Sequence, residues 1–174
     1  NRNFFAAIDT TTGTATSFNP NMNGSVRALA LSGATLYAGG FFNSVNGETT
    51  RNYLAAIDTT TGTATSFNPN INGSILALML SGSTLYTGGF FTTVNGGTTR
   101  NRLAAFDTAT GTATSFNPNM NGGVNALTLS GATLYAGGYF TTVNGGTTRN
   151  HLAAIDTTTG TATSFNPNLN NSVS

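Results

Sequence analysis

Apolar residues in this chain come in short runs, broken by turn residues, and the runs return at a fixed interval. The run "SVRALALS" (25–32) is almost continuously apolar, which predicts a strand covered on both faces. A tight turn at Gly33-Ala34 leads to "TLYAGGFF" (35–42), and the stretch "NSVNGETTRN" reads as a loop. "YLAAID" (53–58) predicts a third strand, "DTTTG" a turn, and "TATSFNP" (63–69) a fourth strand. No 3.6-residue pattern interrupts these segments, so no helix is expected.

The whole set repeats. "AAID" starts at Ala6, Ala55 and Ala153, with "AAFD" at Ala104, so each step is 49 residues. "TATSFNPN" follows at Thr14, Thr63, Thr112 and Thr161 with the same step. Four short antiparallel strands repeated head to tail predict an all-β fold, a β-propeller of four-stranded blades. Residues 1–23 read as a partial blade holding the third and fourth strands. Residues 24–72, 73–121 and 122–170 read as three full blades, and 171–174 as the start of another. Propellers use four to eight blades, so this stretch is expected to form an incomplete ring. Three ways out follow: a longer repeat chain, assembly of copies into a ring or filament, or further C-terminal strands that join the N-terminal pair. Unmatched blade faces favour association, and a head-to-tail contact that does not close makes fibres.

Paired glycines sit at one phase of every unit: Gly39 with Gly40, Gly88 with Gly89, Gly137 with Gly138. Glycine inside a strand marks close approach by another group, and the expected visitor is an aromatic such as Phe67 or Phe18. A phosphate-cradling loop would need a helix after the glycines, and none is predicted. Asp9, Asp58, Asp107 and Asp156 open the "DTTTG"-type turns, where the carboxylate accepts backbone amides and the closing glycine supplies positive φ. They are read as turn residues at a rim, too far apart to share a metal ion. The "FNPN" segments read as loop braces. Asn23, Asn72 and Asn170 stand in glycosylation acceptor patterns.

Composition narrows the possible roles. Only 6% of residues are charged, lysine is absent, and the net charge is +1. The six arginines (Arg2, Arg27, Arg51, Arg100, Arg102, Arg149) are dispersed, which argues against nucleic-acid binding by phosphate neutralisation. With no cysteine, disulfides and thiolate metal sites are excluded. No apolar stretch approaches the ~20 residues of a membrane helix. One histidine, His151, and one acid outside the turns, Glu48, supply no catalytic constellation. The expectation is no enzyme, no cofactor and no metal.

"LYAGGFFNSVNGETTRNYLAAIDTTTGTATSFNPN" resembles the delta-sixty type repeats of bacterial secreted and surface proteins. The likeness is carried by Gly39, Gly40 and Phe42, then Arg51, Asn52, Leu54 and Ala55, then Ser66, Phe67, Asn68 and Pro69, and it recurs in every copy. It implies a propeller-forming repeat of large exported proteins, with no activity or catalytic residues to transfer.

Where the copies differ, a binding face is sought. Arg27, Leu76 and Asn125 share one position, and Phe4, Tyr53, Arg102 and His151 another. Glu48, Gly97 and Gly146 share a third, and Met22, Ile71, Met120 and Leu169 a fourth. In blade topology these fall at or beside the loops before the first and third strands, which emerge on one face. The predicted ligand face is Arg27, Tyr53, Leu76, Arg102, Asn125 and His151. The functional expectation is a non-catalytic extracellular or cell-surface module, structural or adhesive, whose partners are copies of itself or further repeats. The alternative is a lectin-like propeller that holds carbohydrate through Asn side chains and Tyr or Phe stacking.

Overall fold

The computed structural model describes residues 3–174; Arg2 lies outside them. The described residues form strands and turns and no helix. In residues 24–72 the strands are β1 (Val26–Ser32), β2 (Thr35–Gly40), β3 (Ser44–Val45), β4 (Thr49–Thr50) and β5 (Leu54–Asp58). Residues 73–121 give β6 (Ile75–Ser81), β7 (Thr84–Gly89), β8 (Thr93–Val94), β9 (Thr98–Thr99) and β10 (Leu103–Asp107). Residues 122–170 give β11 (Val124–Ser130), β12 (Thr133–Gly138), β13 (Thr142–Val143), β14 (Thr147–Thr148) and β15 (Leu152–Asp156). Each unit is a three-stranded antiparallel sheet, in the orders β1-β2-β5, β6-β7-β10 and β11-β12-β15, with the second strand in the middle.

Local chemistry explains the joints. The first turn is two residues long, and Gly33 adopts φ +53°, as a type II′ hairpin loop requires at its first position. The second turn is the expected Asp turn. Asp58 Oδ1 accepts the amides of Thr60 (2.9 Å) and Thr61 (2.8 Å), and Gly62 closes it at φ +72°.

The predicted fourth strand is shorter than a strand. Only Ile57 and Ala64 form a bridge, flanked by Asp58 N–H to Thr63 O and Thr65 N–H to Ala56 O. Two contacts end the pairing there. Arg51 Nη2 donates to Thr65 O, and Thr65 Oγ1 accepts the amide of Phe67 at 3.3 Å, folding the chain inward. The expected four-stranded blade is therefore a three-stranded sheet with a bridged fourth segment. Conversely, "NSVNGETTRN" is more than a loop. It holds the β3–β4 hairpin, with Asn46 and Gly47 at φ +54° and +83° and Val45 fully buried.

Successive sheets pack in chain order, β6 against β1 and β2, and β11 against β6 and β7. The seam between the first two full units holds Tyr37, Leu54, Ala56 and Phe67 against Ile75, Leu85, Phe91 and Phe106. The next seam repeats it with Tyr86, Leu103, Ala105 and Phe116 against Val124, Leu134, Phe140 and Ile155. The first strands are less covered than their apolar run suggests. They are edge strands, and Leu29 and Leu31 are 50% and 62% exposed.

The first glycine of each pair serves the seam. A Cβ added at Gly39 would lie 2.5 Å from Ile75 Cγ2, one at Gly88 2.6 Å from Val124 Cγ1, and one at Gly137 2.7 Å from Val173 Cγ1. The visitor is a β-branched aliphatic from the beginning of the next copy, and not the aromatic expected from the sequence. Phe67 instead lies 3.4 Å from where a Cβ of Gly111 would stand, against the next Asp turn.

Candidate functional site

Each first strand carries one residue more than its partner near its beginning. Val26 pairs with Gly40 and Ala28 with Gly39, so Arg27 is the extra residue; Leu76 and Asn125 hold the same place. Such a bulge twists the strand and re-aims a side chain. The second glycine of the pair makes it possible. A Cβ at Gly40, Gly89 or Gly138 would collide with the carbonyl oxygen of Ser25, Ser74 or Gly123. Those oxygens accept the amides of Phe41, Phe90 and Tyr139 at 2.8, 2.9 and 2.8 Å.

The bulge residues and these three aromatics line one open groove of about 490 Å³, with Ser174 at its edge. Phe41, Phe90 and Tyr139 are about half exposed, whereas the adjoining Phe42, Phe91 and Phe140 are buried. The two aromatics of "FF" thus part, one into the core and one into the groove. Arg27 places its guanidinium carbon 5.4 Å from the Phe41 ring centroid, a cation–π contact. Phe90 and Tyr139 stack with centroids 6.1 Å apart and planes at 29°. The Phe90 ring closes over Gly123, where a side chain would clash; the matching positions elsewhere are Ser25 and Ser74. Asn125 Nδ2 donates to Val173 O at 3.0 Å, while its buried Oδ1 has no partner among the described residues.

Arg27, Leu76 and Asn125 of the predicted ligand face therefore come together. Tyr53, Arg102 and His151 do not join them in the groove lining. They stand immediately before the third strands and are half-buried. Each centres a three-residue turn in which Leu54, Leu103 or Leu152 N–H reaches back to Asn52, Asn101 or Asn150 O at 2.8 Å. Their φ values are +63°, +61° and +65°, and Phe4 matches at +60°. This is the strained classic γ-turn, held four times by its surroundings. The carbonyls of Tyr53, Arg102 and His151 accept the amides of Gly40, Gly89 and Gly138 at 3.0 Å, and His151 Nδ1 lies 3.2 Å from Gly138 O. These residues brace the bulge from its other side. Glu48 sits exposed in the β3–β4 loop. Met22, Ile71 and Met120, read from sequence as loop variation, are core residues at 1% exposure.

The remaining polar repeats serve the scaffold. Asp58, Asp107 and Asp156 are held below the usual carboxylate range by the backbone N–H of Thr61, Thr110 and Thr159 and by the hydroxyls of those threonines. Thr12 and Thr11 amides do the same for Asp9. Among the described residues no cluster of three or more His, Cys, Asp or Glu could hold a metal. Asn72 Oδ1 accepts the amides of Thr92 and Thr93, and its Nδ2 donates to Thr92 Oγ1 at 2.9 Å, so this glycosylation-pattern amide is already engaged. Asn52 Nδ2 donates to Asn70 Oδ1 at 3.0 Å, bracing "FNPN" as expected.

Comparison with known protein families and with curated proteins finds no match. Among solved structures, the chain is similar in fold to one from a study of two prolyl endopeptidases and the role of inter-domain dynamics in their catalysis and specificity. That likeness has 14% identity and a TM-score of 0.50, and covers 93% of this chain and 22% of the other. The chain thus spans about a fifth of that protein's length, and the likeness concerns strand arrangement alone. It also matches the computationally designed Ika4 protein (14% identity, TM-score 0.44, 77% of this chain and 92% of that one). A third match is the designed Ika8 protein (15%, 0.39, 78% and 47%).

Proposed function

We propose that this chain is a non-catalytic repeat module of an exported or surface protein, of the delta-sixty type. In this reading its units are propeller blades that dock end to end with further copies of the repeat, in a structural or adhesive role. The observation that carries the reading is the contrast between the seams and the ends. Phe67 and Phe116 are 3% and 4% exposed inside their seams, and the equivalent Phe165 is 43% exposed at the C-terminal end. At the other end Leu29 and Leu31 are open. Each end thus leaves open part of a contact that the chain makes twice internally: the Phe165 side at one end, and at the other the recess beside Leu29 that residues 5–18 do not fill. The engagement of the Asp carboxylates in their turns supports a scaffold role for them.

Light scattering with electron microscopy tests this. Particles heavier than one chain, reduced in mass by Phe165→Arg, are expected. Uniform single-chain particles at high concentration overturn the proposal.

One observation favours a second reading, carbohydrate binding: the half-exposed Phe90–Tyr139 stack in a groove that Arg27 also lines. Aromatic faces take the apolar face of a sugar ring, and the Arg27 guanidinium would donate to its hydroxyls. Saccharide binding on a glycan array, lost with Tyr139→Ala, supports it; binding that survives Tyr139→Ala and Phe90→Ala together refutes it.

A further inference from the structure

Between neighbouring units, a tyrosine of the second strand is the piece that fills the seam. Tyr37 meets Phe67 edge-on at 5.3 Å, and its hydroxyl points to Thr108 O at 3.5 Å. Tyr86 meets Phe116 in the same way at 5.2 Å. Both tyrosines are nearly buried, at 4% and 6% exposure.

In front of the first full unit the same surroundings recur around open space. A cavity of about 330 Å³ lies between Phe5 and Phe18 on one side and Leu29, Leu36 and Thr59 on the other. Each stands one 49-residue step before a seam residue: Leu54, Phe67, Leu78, Leu85 and Thr108. Phe5 and Phe18 pack edge-on against each other at 5.6 Å, the geometry that Tyr37 and Phe67 adopt in the filled seam. Ile8 is 55% exposed although its equivalent Ile57 is fully buried. The difference is pairing. Ile57 is paired with Leu36 of β2 and bridged to Ala64, whereas among the described residues Ile8 shows only the bridge to Ala15.

We propose that this N-terminal face is a docking site for a hairpin made of a first and a second strand of the same repeat, which adds its second strand beside residues 5–9 and seats its tyrosine in the cavity. The proposal rests on the end-to-end docking reading and names its occupant at this end. A complete unit does not fit, because its third and fourth segments would collide with Phe5–Phe18, which already stand there. A hairpin supplies both things the face lacks: main-chain partners for the open edge, as in strand addition, and an aromatic for the apolar recess. Every apolar lining residue has a counterpart that already packs against this hairpin at the two internal seams.

The test titrates the full chain into a fluorescent peptide of residues 122–140, carried on a soluble fusion partner and read by anisotropy. Saturable one-to-one binding is expected, weakened at least tenfold by Tyr135→Ala in the peptide and by Leu29→Arg in the chain. Leu29 is half exposed, and circular dichroism confirms that the variant keeps its sheets. Equal binding of the Tyr135→Ala peptide, or no binding at all, overturns the proposal. Light scattering on the same samples separates the two readings. A chain that assembles yet ignores the peptide overturns the hairpin and leaves end-to-end docking standing, whereas a chain that stays single and binds the peptide supports the hairpin and overturns assembly.

Discussion

At the scale of single residues, the glycine pair shows two neighbours constrained for different reasons. Gly39 is small because Ile75 of the next unit enters its space, while Gly40 is small because Ser25 O of its own sheet does. Overpacking a filled interior costs about 1–3 kcal/mol, and Gly39→Ala is expected to fall in that range by denaturant unfolding. Ile75→Ala alone should cost about 2–5 kcal/mol as a cavity. Because the new methyl enters the space that Ile75 Cγ2 leaves, the double variant should cost clearly less than the two singles added. Strict additivity would show that the two residues do not share a seam.

At the scale of elements, the turns carry the acid sensitivity. The four turn carboxylates have lowered native pKa values, held by threonine amides. Their stabilisation is complete above the unfolded value of about 3.9 and is lost as pH falls through the lower native values. The thermal midpoint should therefore drop below about pH 4, and replacing all four with Asn should remove that drop. A midpoint that falls equally in the Asn variant counts against the turns as its source. These turns were legible in the sequence because Asp, a polar run and Gly at fixed spacing leave few alternatives. The β3–β4 hairpin was not, because arms of two residues give no alternation to read; its one signal was Asn-Gly, a hairpin dipeptide. The fourth strand was over-read from a β-favouring segment set off by turn residues, since Arg51 takes the Thr65 carbonyl that a longer ladder would use. The groove stayed hidden because a bulge leaves the apolar run unbroken in sequence while turning Arg27, Leu76 and Asn125 outward. Which of two adjacent aromatics faces the core is likewise settled only by the pleat.

At the scale of the molecule, stability is distributed along the row of sheets, as in repeat proteins whose units mainly contact their neighbours. The unit of residues 73–121 has a full seam on each side, whereas that of residues 122–170 has a full seam on one side only. Amide exchange should accordingly be slowest in β6, β7 and β10 and faster in β11, β12 and β15. Uniform protection across the three sheets would mean that the chain opens as one cooperative block. The likeness of the seams reaches further. Ile75 enters the hole at Gly39, Val124 the hole at Gly88 and Val173 the hole at Gly137, so any donor side suits any acceptor side to within one methylene. Excising residues 73–121 would bring Val124 to Gly39 and leave a shorter protein that needs no compensating substitution. Loss or gain of a whole 49-residue copy would thus leave every remaining glycine hole with a β-branched side chain to fill it.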